Sequence, residues 1–262
     1  MSNAIQIAFL PIWGKSNQTI PIMQMKALKA RGISCDYGVH SVFFPSSRTA
    51  LTRKCKIIHY DWIHTYTLSP GTVTSLIKSI LFILDILFAK YILGVRFYWT
   101  LHNLRHHDPR PRRIEKWVYS SYAALCTKVR LLGPGIQEIV CRHLNMAPEK
   151  IVVIPEGSFI DWYPEKHSAA SARQKLGIAE STKVILNFGL LRPYKGIEQL
   201  IAAFNAMDNS DTHLIIAGAP YNTNYAKKLS RLAANRSNIT LLSKHIEDDN
   251  VQLYFAAADL VV

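Results

Sequence analysis

Residues 188–204 read FGLLRPYKGIEQLIAAF, which predicts the end of a strand, a loop and a helix. Apolar residues in the second half recur at the spacing of one helical face, namely Ile197, Leu200, Ile201 and Phe204. A helix with one apolar stripe packs that stripe against a neighbouring layer. This segment therefore predicts a strand–loop–helix unit of an α/β sheet.

Two cations lie in the predicted loop. The strand ends near Gly189, which places Arg192 and Lys195 just before the helix. The free backbone N–H groups and the positive end of the helix dipole favour an anion at such a place. A diphosphate suits this chemistry, and fixed cations would stabilise the charge that develops on it as a leaving group. The alternative is a solvated loop whose charges only aid solubility.

The same alternation extends outward along the whole chain. Short apolar runs predict strands at 5–10, 33–39, 56–60, 96–101, 128–132, 150–154, 183–188, 213–217, 239–242 and 259–262. Helical patterns separate them, for instance at 21–30, 72–93, 111–125 and 136–144. Near-continuous apolar strands alternating with helices indicate parallel sheets that are covered on both faces. The expected fold class is α/β, with doubly wound sheets.

A polar stretch at 161–179 is the expected domain boundary. It follows six candidate strands and precedes a fresh strand–helix series. We therefore expect one Rossmann-like domain at 1–165 and a second at 166–262, facing one another across a cleft. In such sheets, ligands bind outside the carboxyl ends of the strands.

The segment 188–204 resembles the second domain of the family 4 glycosyltransferases, which carries an F-G-x-L-R-x-Y-K-G-I pattern. The resemblance implies a GT-B fold, in which domain 1–165 serves the acceptor side and domain 166–262 binds a nucleotide sugar. It also implies that Arg192 and Lys195 hold the diphosphate of the donor.

Three other segments are similar to the family's patterns. Residues 99–103 read WTLHN, and the resemblance implies that His102 reaches the reaction centre, with Asn103 beside it. Residues 151–157 read IVVIPEG, in which Glu156 stands where the family usually has His or Asn. Residues 11–15 read PIWGK, and only Gly14 is present where relatives often show a glycine pair. We expect Gly14, Asn103 and Glu156 to be loop contacts to donor or acceptor.

The family also has an E-x7-E segment after the strand that here is 258–262. That segment holds the sugar and ribose of the donor, and the sequence stops before it. The second domain is therefore expected to be incomplete, either as a fragment of a longer protein or as a natural remnant.

The resemblance implies a retaining glycosyltransferase of the hexosyltransferase type, working in polysaccharide or cell-envelope biosynthesis. It would move a sugar from a GDP- or UDP-linked donor to a glycan or a polyprenyl-linked acceptor. No cofactor and no metal are expected. One alternative is a nucleotide-sugar epimerase of the same fold. Another is a non-catalytic remnant that binds a membrane or the glycan-synthesis machinery.

The net charge of +13 is unevenly distributed. Residues 1–165 carry 20 Lys and Arg against 10 Asp and Glu. Four of these cations follow His102 closely: Arg105, Arg110, Arg112 and Arg113. They are candidates for contact with an anionic acceptor or with acidic lipid headgroups, the alternative being a solvated loop. Nucleic acid is not an expected partner, because no aromatic-studded basic strand or recognition helix accompanies the charge.

The apolar segment 72–93 is interrupted by Lys78, Asp85 and Lys90, which fall on one narrow stripe. The uninterrupted part is far shorter than the about 20 residues that span a bilayer. A buried helix of the first domain is the favoured interpretation. The alternative is a helix in the membrane interface, with both lysines reaching the headgroups.

The four cysteines are widely spaced and include no C-x-x-C pair, which fits a reducing cytoplasm. The first 13 residues have no basic residue before their apolar run and make a poor signal peptide. The expected location is cytoplasmic, with peripheral attachment to the inner face of the membrane as a hypothesis.

Overall fold

The computed structural model describes residues 6–12, 19–107, 110–160, 162–163, 165–207, 210–234 and 236–262. The chain divides into two compact units, of which the first ends at Glu156 and the second begins at Gly157. The polar stretch expected to form the boundary thus lies in the first part of the second unit.

The first unit contains a six-stranded, all-parallel sheet in the order β2-β1-β3-β4-β5-β6. Its strands are β1 Ile7–Leu10, β2 Cys35–Tyr37, β3 Ile57–Tyr60, β4 Arg96–Thr100, β5 Lys128–Leu131 and β6 Ile151–Val153. Its helices are α1 Thr19–Lys29, α2 Pro45–Arg53, α3 His64–Thr67, α4 Thr72–Tyr91, α5 Arg112–Leu125 and α6 Gln137–Leu144. A large buried cluster, which includes Trp99, Tyr60 and Tyr122, fills the space between this sheet and its helices.

The second unit contains a four-stranded parallel sheet in the order β10-β7-β8-β9. Its strands are β7 Lys183–Phe188, β8 Thr212–Ala217, β9 Ile239–Leu242 and β10 Leu260–Val261. Its helices are α7 Ala169–Leu176, α8 Ile197–Ala206, α9 Thr223–Ala233 and α10 Asp248–Ala257. Each of the ten expected strands coincides with an observed one, and the α/β class with two parallel sheets is confirmed.

Helix α8 has the apolar face that its sequence spacing predicts. The side chains of Ile197, Ile201 and Phe204 are buried, and Leu200 packs against the same cluster. Gly196 precedes the helix with a φ of 73°, a left-handed conformation that glycine adopts without strain. The loop that carries the two cations is therefore joined directly to a well-packed helix.

Helix α4 departs from the favoured interpretation, in which it is a buried core helix. It buries the polar residues Ser75, Ser79 and Asp85, while Ile77, Leu84 and several other large apolar residues are exposed. The polar stripe faces the protein because it has specific partners there. The buried face also includes Phe82, Ile86 and Ala89, so α4 differs from a water-facing helix mainly in exposing a second apolar side.

Asp85 is the main reason for that orientation. Its carboxylate accepts hydrogen bonds from the backbone N–H groups of Ser46, at 2.7 Å, and Ser47, at 2.9 Å. Both belong to the first turn of α2, whose N–H groups have no partner within the helix. Asp85 therefore holds α2 against α4 from a buried position.

The two lysines of α4 also turn toward the protein. Lys78 donates to the backbone oxygens of Thr65 and Leu68, both at 3.2 Å. Lys90 donates to the backbone oxygen of Leu125 at 2.7 Å. Carbonyl groups of the fold hold both lysines, whereas the alternative drawn from the sequence has them reaching the headgroups.

Candidate functional site

A histidine and a carboxylate meet at the carboxyl edge of the first sheet. Asp61 directly follows β3, and His102 follows the neighbouring strand β4. The Nε2 atom of His102 lies 2.9 Å from Oδ1 of Asp61. The Asp61 side chain is almost completely buried, whereas that of His102 is partly exposed. The pair thus joins a ring that is 10% exposed to a buried carboxylate.

Asp61 is held as a carboxylate. Burial alone raises its pKa, but the hydrogen bond from His102 and the nearby ring of His59 outweigh burial and hold the pKa of Asp61 well below its usual range. The Nε2 atom of His59 lies 3.8 Å from Oδ1 of Asp61 and 2.9 Å from the hydroxyl of Thr100. Two histidine rings therefore lie beside the buried carboxylate.

The ring of His102 is fixed on a second side. It stacks on Trp62 with ring centroids 4.1 Å apart and an interplanar angle of 11°. Because Nε2 is engaged by Asp61, a hydrogen bond from this ring to a ligand would have to use Nδ1. A ring that is oriented by a buried carboxylate in this way can position a hydroxyl group or accept its proton.

Asp61, Trp62 and His59 were not among the residues that the sequence predicted for the site. A signal was present, since the strand expected at 56–60 is followed at once by a carboxylate and an aromatic residue, Asp61 and Trp62. Carboxyl ends of neighbouring parallel strands lie at the same edge of a sheet. Strand order, which the sequence does not state, is what brings this pair to His102.

The other described residues that the sequence predicted for a site in the first unit lie in the segments that follow β4 and β6. Asn103 is exposed beside His102, and Glu156 is exposed after β6. Gly14 lies outside the described residues. The predicted basic residues lie at or before the start of α5, with Arg105, Arg112 and Arg113 exposed and Arg110 half-buried.

In the second unit, the loops after β7 and β8 touch each other through two glycines. Gly189 has a φ of 124° and Gly218 a φ of 154°. A Cβ atom on Gly218 would lie 1.7 Å from the backbone oxygen of Gly189, which no side chain can tolerate. Two further backbone bonds join the loops, since Leu191 donates to the carbonyl of Ala219, and Tyr221 donates to that of Leu191.

This contact positions both predicted cations. The guanidinium carbon of Arg192 lies 5.0 Å from the ring centroid of Tyr221, a cation–π arrangement between the two loops. Lys195 ends the turn before α8, and its Nζ lies 3.4 Å from where a Cβ on Gly189 would be. Partial burial and the charge of Arg192 lower the pKa of Lys195. Two cations held this close together favour a bound anion.

The chain is similar to several known proteins. A family model described as glycosyl transferases group 1 matches residues 168–262, which include the two cations. A GDP-mannose:glycolipid 4-beta-D-mannosyltransferase of Xanthomonas campestris pv. campestris is 23% identical over 222 residues, or 84% of this chain and 57% of the relative. D-inositol 3-phosphate glycosyltransferase of Corynebacterium glutamicum is 25% identical over 228 residues, or 83% of this chain and 53% of the relative.

Among solved structures, Anabaena HepE in complex with UDP superposes with a TM-score of 0.68 at 16% identity, covering 98% of this chain and 73% of that one. The structural match supports a GT-B fold, and the sequence matches show a similarity to glycosyltransferases. The two Rossmann-like parallel sheets that the sequence predicted are those of this fold. The chain spans little more than half the length of the two curated relatives.

The glycine contact of the second unit can be tested directly. We expect Gly218→Ala to reduce the free energy of unfolding by at least about 3 kcal/mol, because the added methyl group collides with backbone and the loops must separate. The matched control is Gly177→Ala, at a helix end with a φ of 68° and nothing within 4 Å of the new methyl group. It should cost only about 1 kcal/mol. Urea unfolding measures both, and equal losses would contradict a special role for the contact.

Proposed function

We propose that this chain is part of an enzyme that transfers a hexosyl group from a nucleotide sugar to a hydroxyl group of a glycan or of a polyprenyl-linked acceptor. The observation that carries the proposal is the loop with Arg192 and Lys195 at the carboxyl end of β7, inside the segment that matches the group 1 glycosyl transferases. We place it in family 4 by its resemblance over 188–204. The comparisons do not favour a non-catalytic remnant.

The donor is proposed to be linked to GDP or UDP. The Xanthomonas relative is named for GDP-mannose and a glycolipid, and Anabaena HepE has been solved with UDP-glucose. These names support a nucleotide diphosphate as the leaving group and a lipid-linked glycan as one class of acceptor. Cytoplasmic polysaccharide or cell-envelope synthesis is the proposed setting, and no cofactor or metal is assigned.

In the proposed reaction, the bond between the anomeric carbon and the diphosphate breaks, and the acceptor oxygen forms the new bond. Negative charge grows on the departing diphosphate as this occurs. Arg192, braced on Tyr221, and Lys195 would stabilise that charge without first having to reorganise. A charge-assisted contact of this kind contributes about 1.5–3 kcal/mol.

His102 has two candidate roles, which differ in the stereochemistry of transfer. In the retaining reaction proposed from the resemblance, His102 positions the sugar and the departing phosphate takes the acceptor's proton. The second candidate is an inverting reaction, in which Nδ1 of His102 takes that proton and Asp61 stabilises the resulting imidazolium. The 2.9 Å hydrogen bond between His102 and the buried Asp61 favours this second candidate.

Proton NMR of the first product formed decides between these two roles. A product with the same anomeric configuration as the donor is expected for the retaining reaction. The opposite anomer would contradict retention and assign the general-base role to His102. In that case Asp61→Asn should lower kcat by at least about a hundredfold, because the imidazolium loses its compensating charge.

The role of the two cations is tested by turnover of the complete protein. We expect Arg192→Ala and Lys195→Ala each to reduce turnover at least about tenfold, the kinetic equivalent of about 1.4 kcal/mol. The matched control is Lys227→Ala, which removes an exposed cation from α9 in the same unit. Its turnover should stay within about twofold of the unaltered protein. Unchanged turnover in both loop variants would contradict the assignment.

A further inference from the structure

The outer face of α4 is a continuous apolar surface. Its exposed residues recur every three or four positions, at Val73, Ile77, Ile80, Leu84, Phe88 and Tyr91. Ile77 is 53% exposed, Leu84 52% and Tyr91 67%. A stripe of this length on one helix is a contiguous patch, which in a soluble protein marks an interaction site.

The opposite face of α4 fixes this stripe in its outward position. Asp85, Lys78 and Lys90 are bonded to α2, to the segment around α3 and to the end of α5. Rotating the helix to bury its apolar stripe would break all of these hydrogen bonds, and the three charged groups would lose these partners. By length and composition α4 could cross a membrane, and it is the one such helix among the described residues. Because its polar face is hydrogen-bonded to the rest of the first unit, α4 lies on the surface of that unit and exposes its apolar stripe.

A neighbouring loop enlarges the apolar surface. Val42, Phe43 and Phe44 are all exposed, and they line one small cavity together with Lys78 and Leu81 of α4. Phe44 has a φ of 55°, a left-handed conformation that is unfavourable for a bulky residue. The fold therefore retains an exposed aromatic residue at a strained position beside the helix.

Basic residues flank the same region. Helix α5 packs against α4, and its exposed residues include Arg112, Arg113, Lys116 and Trp117. Arg110 lies close enough to α4 for its charge to lower the pKa of Lys78, in addition to the larger effect of burial. Three residues of the basic cluster predicted from the sequence, Arg110, Arg112 and Arg113, thus lie near the apolar helix or on the helix packed against it.

We propose that α4 and the 42–44 loop dock onto the surface of an anionic lipid bilayer, with the basic start of α5 meeting the headgroups. The apolar stripe would enter the boundary between headgroups and acyl chains, where exposed Trp, Tyr and Phe are also favoured. Cations beside such a stripe add attraction to acidic lipids. A second copy of the chain is a poorer occupant, because pairing of the same face brings like charges together.

The proposal is tested by co-sedimenting the complete protein with vesicles, with no donor or acceptor present. We expect binding to phosphatidylcholine vesicles that contain about 30% phosphatidylglycerol, and much weaker binding to phosphatidylcholine alone or at high salt. The variant Ile80→Glu/Leu84→Glu should lower the partition coefficient at least about tenfold, because it adds two charges to the stripe. Both residues are exposed, so the fold should be retained, as circular dichroism would check.

Leu232→Glu is the matched control, since Leu232 is an exposed leucine on α9 of the second unit and is 42% exposed. It should bind vesicles as the unaltered protein does. A second variant, Arg112→Gln/Arg113→Gln, should reduce the preference for anionic vesicles while leaving the helix intact.

The proposal is overturned if the protein binds no vesicles, or if the Ile80/Leu84 variant binds as well as Leu232→Glu. A dimer that this variant abolishes, in the absence of vesicle binding, would overturn it in favour of a second copy. Because the assay involves no sugar transfer, its failure would leave the proposed function untouched.

Discussion

The contact between Gly189 and Gly218 is the constraint on which the candidate donor site depends. Two strand-end loops can touch backbone to backbone only where neither carries a side chain at the point of contact. Once they touch, Tyr221 comes under the guanidinium of Arg192, and the turn to Gly196 brings Lys195 back over Gly189. The proposed diphosphate site is therefore built from backbone geometry first, and the cations are placed by it.

In the first unit the candidate site also lies at the carboxyl edge of a parallel sheet, but different groups hold it in place. There a buried carboxylate, Asp61, is the fixed element, and the partly exposed ring of His102 is oriented by it and by Trp62. Helix α4 follows a related rule, because the buried Asp85 fixes which face of the helix meets the protein. In both places a buried charge is satisfied by specific hydrogen bonds, and its partners determine what the surface presents.

The sequence predicted most of the fold, because strands of parallel sheets are apolar throughout and their helices have one apolar face. The spacing of Ile197, Ile201 and Phe204 is an example in which local pattern and packing agree. The prediction from sequence failed for α4. Its apolar composition suggests burial, but the partners of Asp85 that orient the helix lie 38 and 39 residues earlier in the chain. The prediction also missed Asp61, since only strand order shows that the loops after β3 and β4 are neighbours. Long-range pairing, rather than local propensity, accounts for both failures.

The central claim is that Arg192 and Lys195 form a diphosphate site. Isothermal titration calorimetry with nucleotides tests it most directly, because the measurement requires neither the acceptor nor turnover. The account predicts that UDP or GDP binds the complete protein, and that the corresponding nucleoside binds at least about tenfold more weakly, since it lacks the phosphates that Arg192 and Lys195 would hold. Arg192→Ala should remove most of that difference while leaving nucleoside binding unchanged. Equal affinity for nucleoside and diphosphate, or an undiminished preference in Arg192→Ala, would contradict a diphosphate site in this loop.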